Sequence, residues 1–214
     1  MSNIAASLYV YAYSWTPGFC YSCYDCPGCL APHDYWKNNF TIHGLWAQYS
    51  TSGYPSYCTT EPFDSDIPTD LGWDTMTELW PNVQSNETDV TNYESFWEHE
   101  WTKHGTCSGL AQPDYFETAL NLTTELLTPD ILHNAIGQPS MNADNLRTAM
   151  GGLDYVSLQC ENNNDNTQIL TGVYTCWQKN ESDNYPSYQI ACPDEVLSED
   201  TCKQSANITI LNLY

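Results

Sequence analysis

A chain of 214 residues, 41% of them hydrophobic, can bury one sizeable core, and no Pro/Gly/Ser-rich linker or internal repeat divides it, so a single domain over residues 1–214 is expected. No run of about 18 apolar residues is present, which argues against a transmembrane helix. Five Lys and Arg stand against 27 Asp and Glu, a formal charge of −22. That balance argues against the basic footprint of a protein that grips long duplexes.

The opening residues, M-S-N-I-A-A-S, lack the basic region and long apolar core of a signal peptide. Ten Cys and five N-x-S/T sequons, at Asn39, Asn86, Asn121, Asn180 and Asn207, nevertheless point to an oxidising, glycosylating compartment. The expectation is a mature secretory form whose leader has been removed, with Met1 added for expression.

In chain order, residues 7–13 read as a first strand by alternation and aromatic enrichment. Cys20, Cys23, Cys26 and Cys29 follow at C-x-x-C spacing, which could hold zinc or an iron–sulfur cluster. The compartment favours two local disulfides instead, either Cys20–Cys26 with Cys23–Cys29 or Cys20–Cys29 with Cys23–Cys26. Residues 38–43 alternate through Phe40 and Ile42 as a strand that delivers His43 at its end. Residues 59–72 read as an acidic, solvated loop and 73–80 as a short helix.

Residues 95–107, S-F-W-E-H-E-W-T-K-H-G-T-C, hold two Trp, two Glu, two His and a Lys in one helical stretch. Glu100 and His104 stand four apart on one face with Lys103 beside them, so acid, base and cation converge. Trp97 and Trp101, also four apart, form its packing stripe. Gly105 is expected to end the helix as a C-cap. His99-Glu100 begins like the zinc motif H-E-x-x-H, but the second His comes one residue late. At 100° per residue His99 and His104 project about 140° apart, which argues against shared ligation.

Beyond this, residues 114–127, 130–136 and 142–150 read as helices, and 155–160, 169–177, 187–192 and 207–213 as strands, with a loop at 161–168. Helices in the middle and strands toward both ends indicate an α+β class. Trp36, Trp80 and Trp177 are expected to pack the core or its edge, and the isolated His33 and His133 to serve as structural hydrogen-bonders. His43 and His104, from separate elements, make a general acid and a general base available.

The pair of segments I-H-G-L-W (residues 42–46) and F-W-E-H-E-W-T-K-H-G-T-C (96–107) closely resembles the two active-site segments of the ribonuclease T2 family, the secreted, vacuolar or lysosomal acid ribonucleases. W-T-P-G-F-C at 15–20 is similar to the end of that family's first strand and the cysteine after it. The resemblance implies a central, mainly antiparallel sheet packed with several helices and stapled by Cys58–Cys107, Cys160–Cys202 and Cys176–Cys192. It implies a monomeric endoribonuclease that acts on single-stranded RNA, not on DNA or membranes, with no metal or other cofactor.

In the roles so implied, His104 is the general base and His43 the general acid. Glu100 and Lys103 stabilise the transition state, His99 holds the phosphate, and Trp46, Gln48 and Tyr54 take the base. The product would be a 2′,3′-cyclic phosphate that is later opened to a 3′-phosphate, at acidic pH. Ala47 stands where the family usually has Pro, and many fungal relatives carry an acidic residue at the position of Gln48; both bear on base preference. A catalytically silent RNA- or receptor-binding protein of the same fold is the alternative.

Overall fold

A computed structural model describes residues 6–163, 167–202 and 207–213. The first five residues of the chain, and residues 164–166 within the expected loop 161–168, lie outside them. The chain begins with β1 (Leu8–Ser14) and three short helices, α1 (Thr16–Ser22), α2 (Pro27–Leu30) and α3 (Asp34–Asn38), before β2 (Thr41–Gln48). Helices α4 (Ile67–Asp70), α5 (Trp73–Leu79), α6 (Val90–Lys103), α7 (Gln112–Glu125) and α8 (Asp130–Ala135) fill the middle. Then come β3 (Met141–Asn142), α9 (Ala143–Ala149), β4 (Val156–Asn162), β5 (Gln168–Lys179), β6 (Pro186–Ile190), α10 (Asp194–Ser198) and β7 (Asn207–Thr209).

Among the described residues seven strands form one sheet of order β2-β1-β5-β7-β3, with β4 and β6 also paired to β5. Every pairing is antiparallel except β5 with β7. The fold is therefore the α+β, mainly antiparallel class expected. Alternation along β1 sends Tyr9, Tyr11 and Tyr13 into the main core, where Trp97 and Trp101 of α6 and Tyr115 and Phe116 of α7 also pack. Leu8 and Val10 point the other way, into a smaller cluster with Cys176, Cys192 and Val196, against which Trp46 and Tyr174 lean. Burying aromatic side chains of this size is the main source of stability in such a core.

Several expectations are corrected. The strand expected at 38–43 is α3 followed by β2, which carries on past His43 because Leu45 and Ala47 are themselves fully buried in the core. The loop 59–72 contains α4, anchored by buried Ile67 and Pro68. The last strand is only Asn207–Thr209. Helix α6 ends at Lys103 with His104 as its cap, and Gly105 is not in the left-handed region. Gly105 is needed for space, since a Cβ there would run into the Trp101 ring and approach Tyr115 Cε1 to 3.1 Å.

Trp36, Trp80 and Trp177 are buried. His33 pairs with Glu87 at 2.7 Å and His133 Nε2 lies 2.8 Å from the Asn38 carbonyl, which suits structural roles. Five disulfides are formed: Cys20–Cys29, Cys23–Cys26, Cys58–Cys107, Cys160–Cys202 and Cys176–Cys192. The first two resolve the open choice among the N-terminal cysteines.

Candidate active site

Two elements build the site, the edge strand β2 and the C-terminal end of α6. Helix α6 starts at Asp89, whose side chain accepts from the Asn92 amide at 3.4 Å and from Asn92 Nδ2 at 2.6 Å. Tyr93, Trp97 and Trp101 recur every four residues and bury one stripe completely. That fixes the helix rotation, so Glu100 at the flank is buried while His99 and Lys103 reach outward.

On β2, strict alternation would put His43 and Trp46 on opposite faces of the sheet, because they are three residues apart. The register against β1 resolves this: Ala12 pairs with Gly44 and Tyr13 with Ile42, leaving His43 as the extra residue of a β-bulge. The bulge turns His43 toward the side occupied by Trp46 and Gln48. Its carbonyl is held by Trp80 Nε1 at 2.8 Å, and the Trp80 carbonyl accepts from Trp97 Nε1 at 2.9 Å. A chain of buried indoles thus ties the bulge to α6.

His43, Trp46, Gln48, Tyr54, His99, Glu100, Lys103 and His104 all line one cavity of about 300 Å³, completed by Val10, Tyr174, Val196 and Glu199. Trp46 Nε1 donates to Glu100 Oε2 at 2.8 Å, and His43 Nε2 lies 3.9 Å from Glu100 Oε1. His104 lies over the Trp46 ring, centroids 5.2 Å apart at 28°. Phe96 and Trp46 meet the His43 ring edge-on at 5.5 and 5.4 Å. Gly44 is required by this crowding, because a Cβ there would strike Glu100 Oε2 and Trp46 Nε1.

The loop carrying Tyr54 is fastened at several points. Cys58 is bonded to Cys107 just beyond α6, Tyr57 N donates to the Lys103 carbonyl at 3.0 Å, and Gly53 N donates to Glu195 Oε2 at 2.5 Å.

The electrostatics follow from burial. Desolvation raises the Glu100 carboxyl to about 8, although the Trp46 hydrogen bond and the Lys103 charge pull it down. Desolvation, then the charges of Lys103, His99 and His43, lower His104 to about 3. His43 is drawn toward about 4 by desolvation and by His99 and Lys103. Its side chain is still 44% exposed to the cavity, and water there moderates that fall. His99 is lowered by desolvation and Lys103. Lys37 is engaged by Asp34, and Arg147 by Asp144 and Asp200, whereas Lys103 makes no ion pair among the described residues.

His99, Glu100 and His104 bring one ligand atom each to within 4.8 Å of one another. The helical projection that separates His99 from His104 by about 140° holds only inside a regular helix. Here His104 is the cap, at φ −113° and ψ −47°, and its ring swings back toward the site. The three donors could therefore approach one cation, contrary to the sequence expectation.

The sequence reading passed over four features of the site: Gly44, the Trp80 tether, the wall formed by Tyr174 and Glu199, and a second cavity of about 250 Å³ that shares His43 and includes Asn82, Gln84, Ser95 and Phe96. A glycine inside a strand next to a histidine was a usable signal for the first. The others depend on contacts between distant segments.

The ribonuclease T2 family model matches residues 6–188. Ribonuclease 1 of Arabidopsis thaliana is 34% identical over 165 residues, 72% of this chain and 67% of that protein. Ribonuclease 3 of the same plant is 30% identical over 86% of this chain and 82% of its own. A variant of RNase MC1, solved in complex with 5′-UMP, superposes with a TM-score of 0.74 at 26% identity, covering 96% of this chain and 99% of that one.

Proposed function

The chain belongs to the ribonuclease T2 family and is a T2-type endoribonuclease, and from that premise we propose that it cleaves single-stranded RNA by transphosphorylation, with no metal in the chemistry. The observation that carries this reading is the convergence of His43, His99, Glu100, Lys103 and His104 on one cavity. RNA brings its own nucleophile, the 2′-hydroxyl, so the protein need supply only a base, an acid and stabilisation for the phosphorane.

His104, held neutral by burial, takes the 2′-hydroxyl proton. The 2′-oxygen attacks phosphorus, the P–O5′ bond breaks, and His43 in its protonated form gives its proton to the departing 5′-oxygen. The 2′,3′-cyclic phosphate then reacts with water with the two roles reversed, giving a 3′-phosphate. Glu100 keeps its proton up to about 8 and so acts as a neutral O–H donor to a phosphoryl oxygen, anchored by Trp46. Lys103 and His99 supply positive charge and hold the phosphate.

The two cavities that share His43 provide room for a nucleoside on each side of the scissile bond. Trp46, Gln48 and Tyr54 take the base of the nucleoside that supplies the 2′-hydroxyl. The −22 background allows only this local cationic patch to attract substrate, so binding is weak and salt-sensitive and long duplexes are poor ligands.

One monomeric catalytic domain over residues 1–214, no action on DNA and no membrane association belong to the same proposal. No described helix is long and apolar enough to cross a membrane. Five disulfides favour a secreted, lysosomal or vacuolar destination. Of the sequons, Asn86, Asn121 and Asn207 are exposed and Asn39 and Asn180 partly so, which leaves all five open to glycosylation.

Incubating the protein with single-stranded RNA and DNA in EDTA tests the reading. RNA should be cut and DNA left intact. Comparable cleavage of both, or loss of RNA cleavage in EDTA, overturns it, and no cleavage of either returns the silent binding protein.

A further inference from the structure

From the polar groups left unengaged in the cavity beside His104, we propose that Glu199, acting with Gln48, selects guanine as the base of the nucleoside that supplies the 2′-hydroxyl. This rests on the ribonuclease reading above. Apart from the groups assigned to the chemistry, the cavity carries few polar side chains. Gln48, on β2, is only 4% exposed, yet its Oε1 has no hydrogen-bond partner among the described residues. A buried amide oxygen left unpaired costs free energy in the empty site and regains it when a ligand N–H arrives.

Glu199 caps α10 and lines the same cavity from the opposite element. Its neighbour Glu195 is committed to the Gly53 amide, whereas no described residue hydrogen-bonds the Glu199 carboxylate. Its charge is felt at Tyr174, whose ring stands edge-on to Trp46 with centroids 5.2 Å apart at 71°. Desolvation and the nearby Glu195 raise the Glu199 carboxyl, as expected for a group partly withdrawn from water.

Two acceptors on the walls of an aromatic slot ask for a base with N–H donors at adjacent positions of its pairing edge. Guanine presents N1–H and N2–H together. Adenine turns the N1 lone pair, cytosine the N3 lone pair, and uracil two carbonyl oxygens flanking its one N–H toward the same acceptors, which repels them. A well-formed pair of hydrogen bonds to a base edge discriminates by about ten- to a hundredfold, and a site whose buried polar groups go unpaired with the wrong ligand rejects it accordingly.

Initial rates on GpU, ApU, CpU and UpU, for the wild type and for Glu199→Gln, test this. The wild type should show the highest kcat/KM on GpU. Glu199→Gln should lose at least tenfold more on GpU than on UpU, because the neutral amide keeps only one acceptor oxygen and lacks the charge that strengthens hydrogen bonds from N1–H and N2–H. Glu199 is exposed, so the variant should keep its fold. As a readout independent of turnover, guanosine 3′-monophosphate should bind the wild type more tightly than adenosine 3′-monophosphate, and that margin should shrink in Glu199→Gln. An equal loss on all four substrates, an unchanged ratio, or a wild-type preference for another base overturns the inference. Failure to cleave any of the four overturns the ribonuclease reading instead.

Discussion

Glu100→Gln should stabilise the protein above neutrality while impairing it as an enzyme. Glu100 is 1% exposed, and burial raises its carboxyl from 4.5 to about 8. Between those values the unfolded chain has released the proton and the folded chain has not, so folding stability falls as pH rises from 4.5 to about 8. The shift of 8 − 4.5 = 3.5, at about 1.36 kcal/mol each, amounts to about 5 kcal/mol above pH 8 and about 3 kcal/mol at pH 7. Gln has nearly the same shape and can still accept from Trp46 Nε1 but does not titrate, so the variant escapes the loss. The lowered His43 and His104 destabilise both proteins as pH falls below 6.5, and that contribution largely cancels in the comparison.

Urea unfolding at pH 4, 7 and 8 reads the difference directly. The variant's advantage should be near zero at pH 4 and grow to several kcal/mol at pH 8, or roughly 6–12 °C in Tm at pH 7. Loss of the phosphoryl donor should lower turnover by roughly 10²-fold. A stability difference independent of pH would show that Glu100 carries no excess proton at neutrality, and the donor role proposed for it would fall.

Three further outcomes are expected. His43→Ala and His104→Ala should each lower kcat by about 10²–10⁴-fold on a dinucleotide, and by more than Lys103→Ala does, because they move protons; His99→Ala should act chiefly on KM. Near-full turnover in both of the first two would refute the roles. The pH profile of kcat/KM should peak on the acidic side, since His104 stays neutral down to about 3 while protonated His43, lowered below 6.5, disappears as pH rises; a maximum well above neutrality at fixed ionic strength contradicts this. Replacing Cys58 and Cys107 together by Ser should cost about 4 kcal/mol by chain entropy for their separation of 49 residues, less any relaxation. It should also lower turnover at temperatures where the protein remains folded, and unchanged turnover there would show that the bridge does not position His104.

The sequence was most informative where physics is local. Trp97 and Trp101 stand at helical spacing, so the packing stripe of α6 was readable, and the His43 and His104 segments named the chemistry; the first turns of the helix, with Tyr93, lay outside the stretch read as helical. The site could not be assembled from periodicity alone. A strand period of two separates His43 from Trp46, and only the bulge against Ala12 and Tyr13 reunites them. The helical projection likewise fails at His104, one residue beyond the last regular turn. Helices α1 to α4 run four to seven residues, too short for a periodic signal. Glu199 reaches the cavity from about a hundred residues beyond Lys103, across contacts that no local pattern encodes.

The central claim, that the substrate's own 2′-hydroxyl is the nucleophile, is tested most directly with a DNA oligonucleotide carrying one ribonucleotide, digested in EDTA and analysed by mass. Cleavage only on the 3′ side of that ribonucleotide is expected, with a 2′,3′-cyclic phosphate on the early fragment and a free 5′-hydroxyl on the other. Cuts at deoxyribonucleotides, or fragments ending in a 5′-phosphate, would contradict the account.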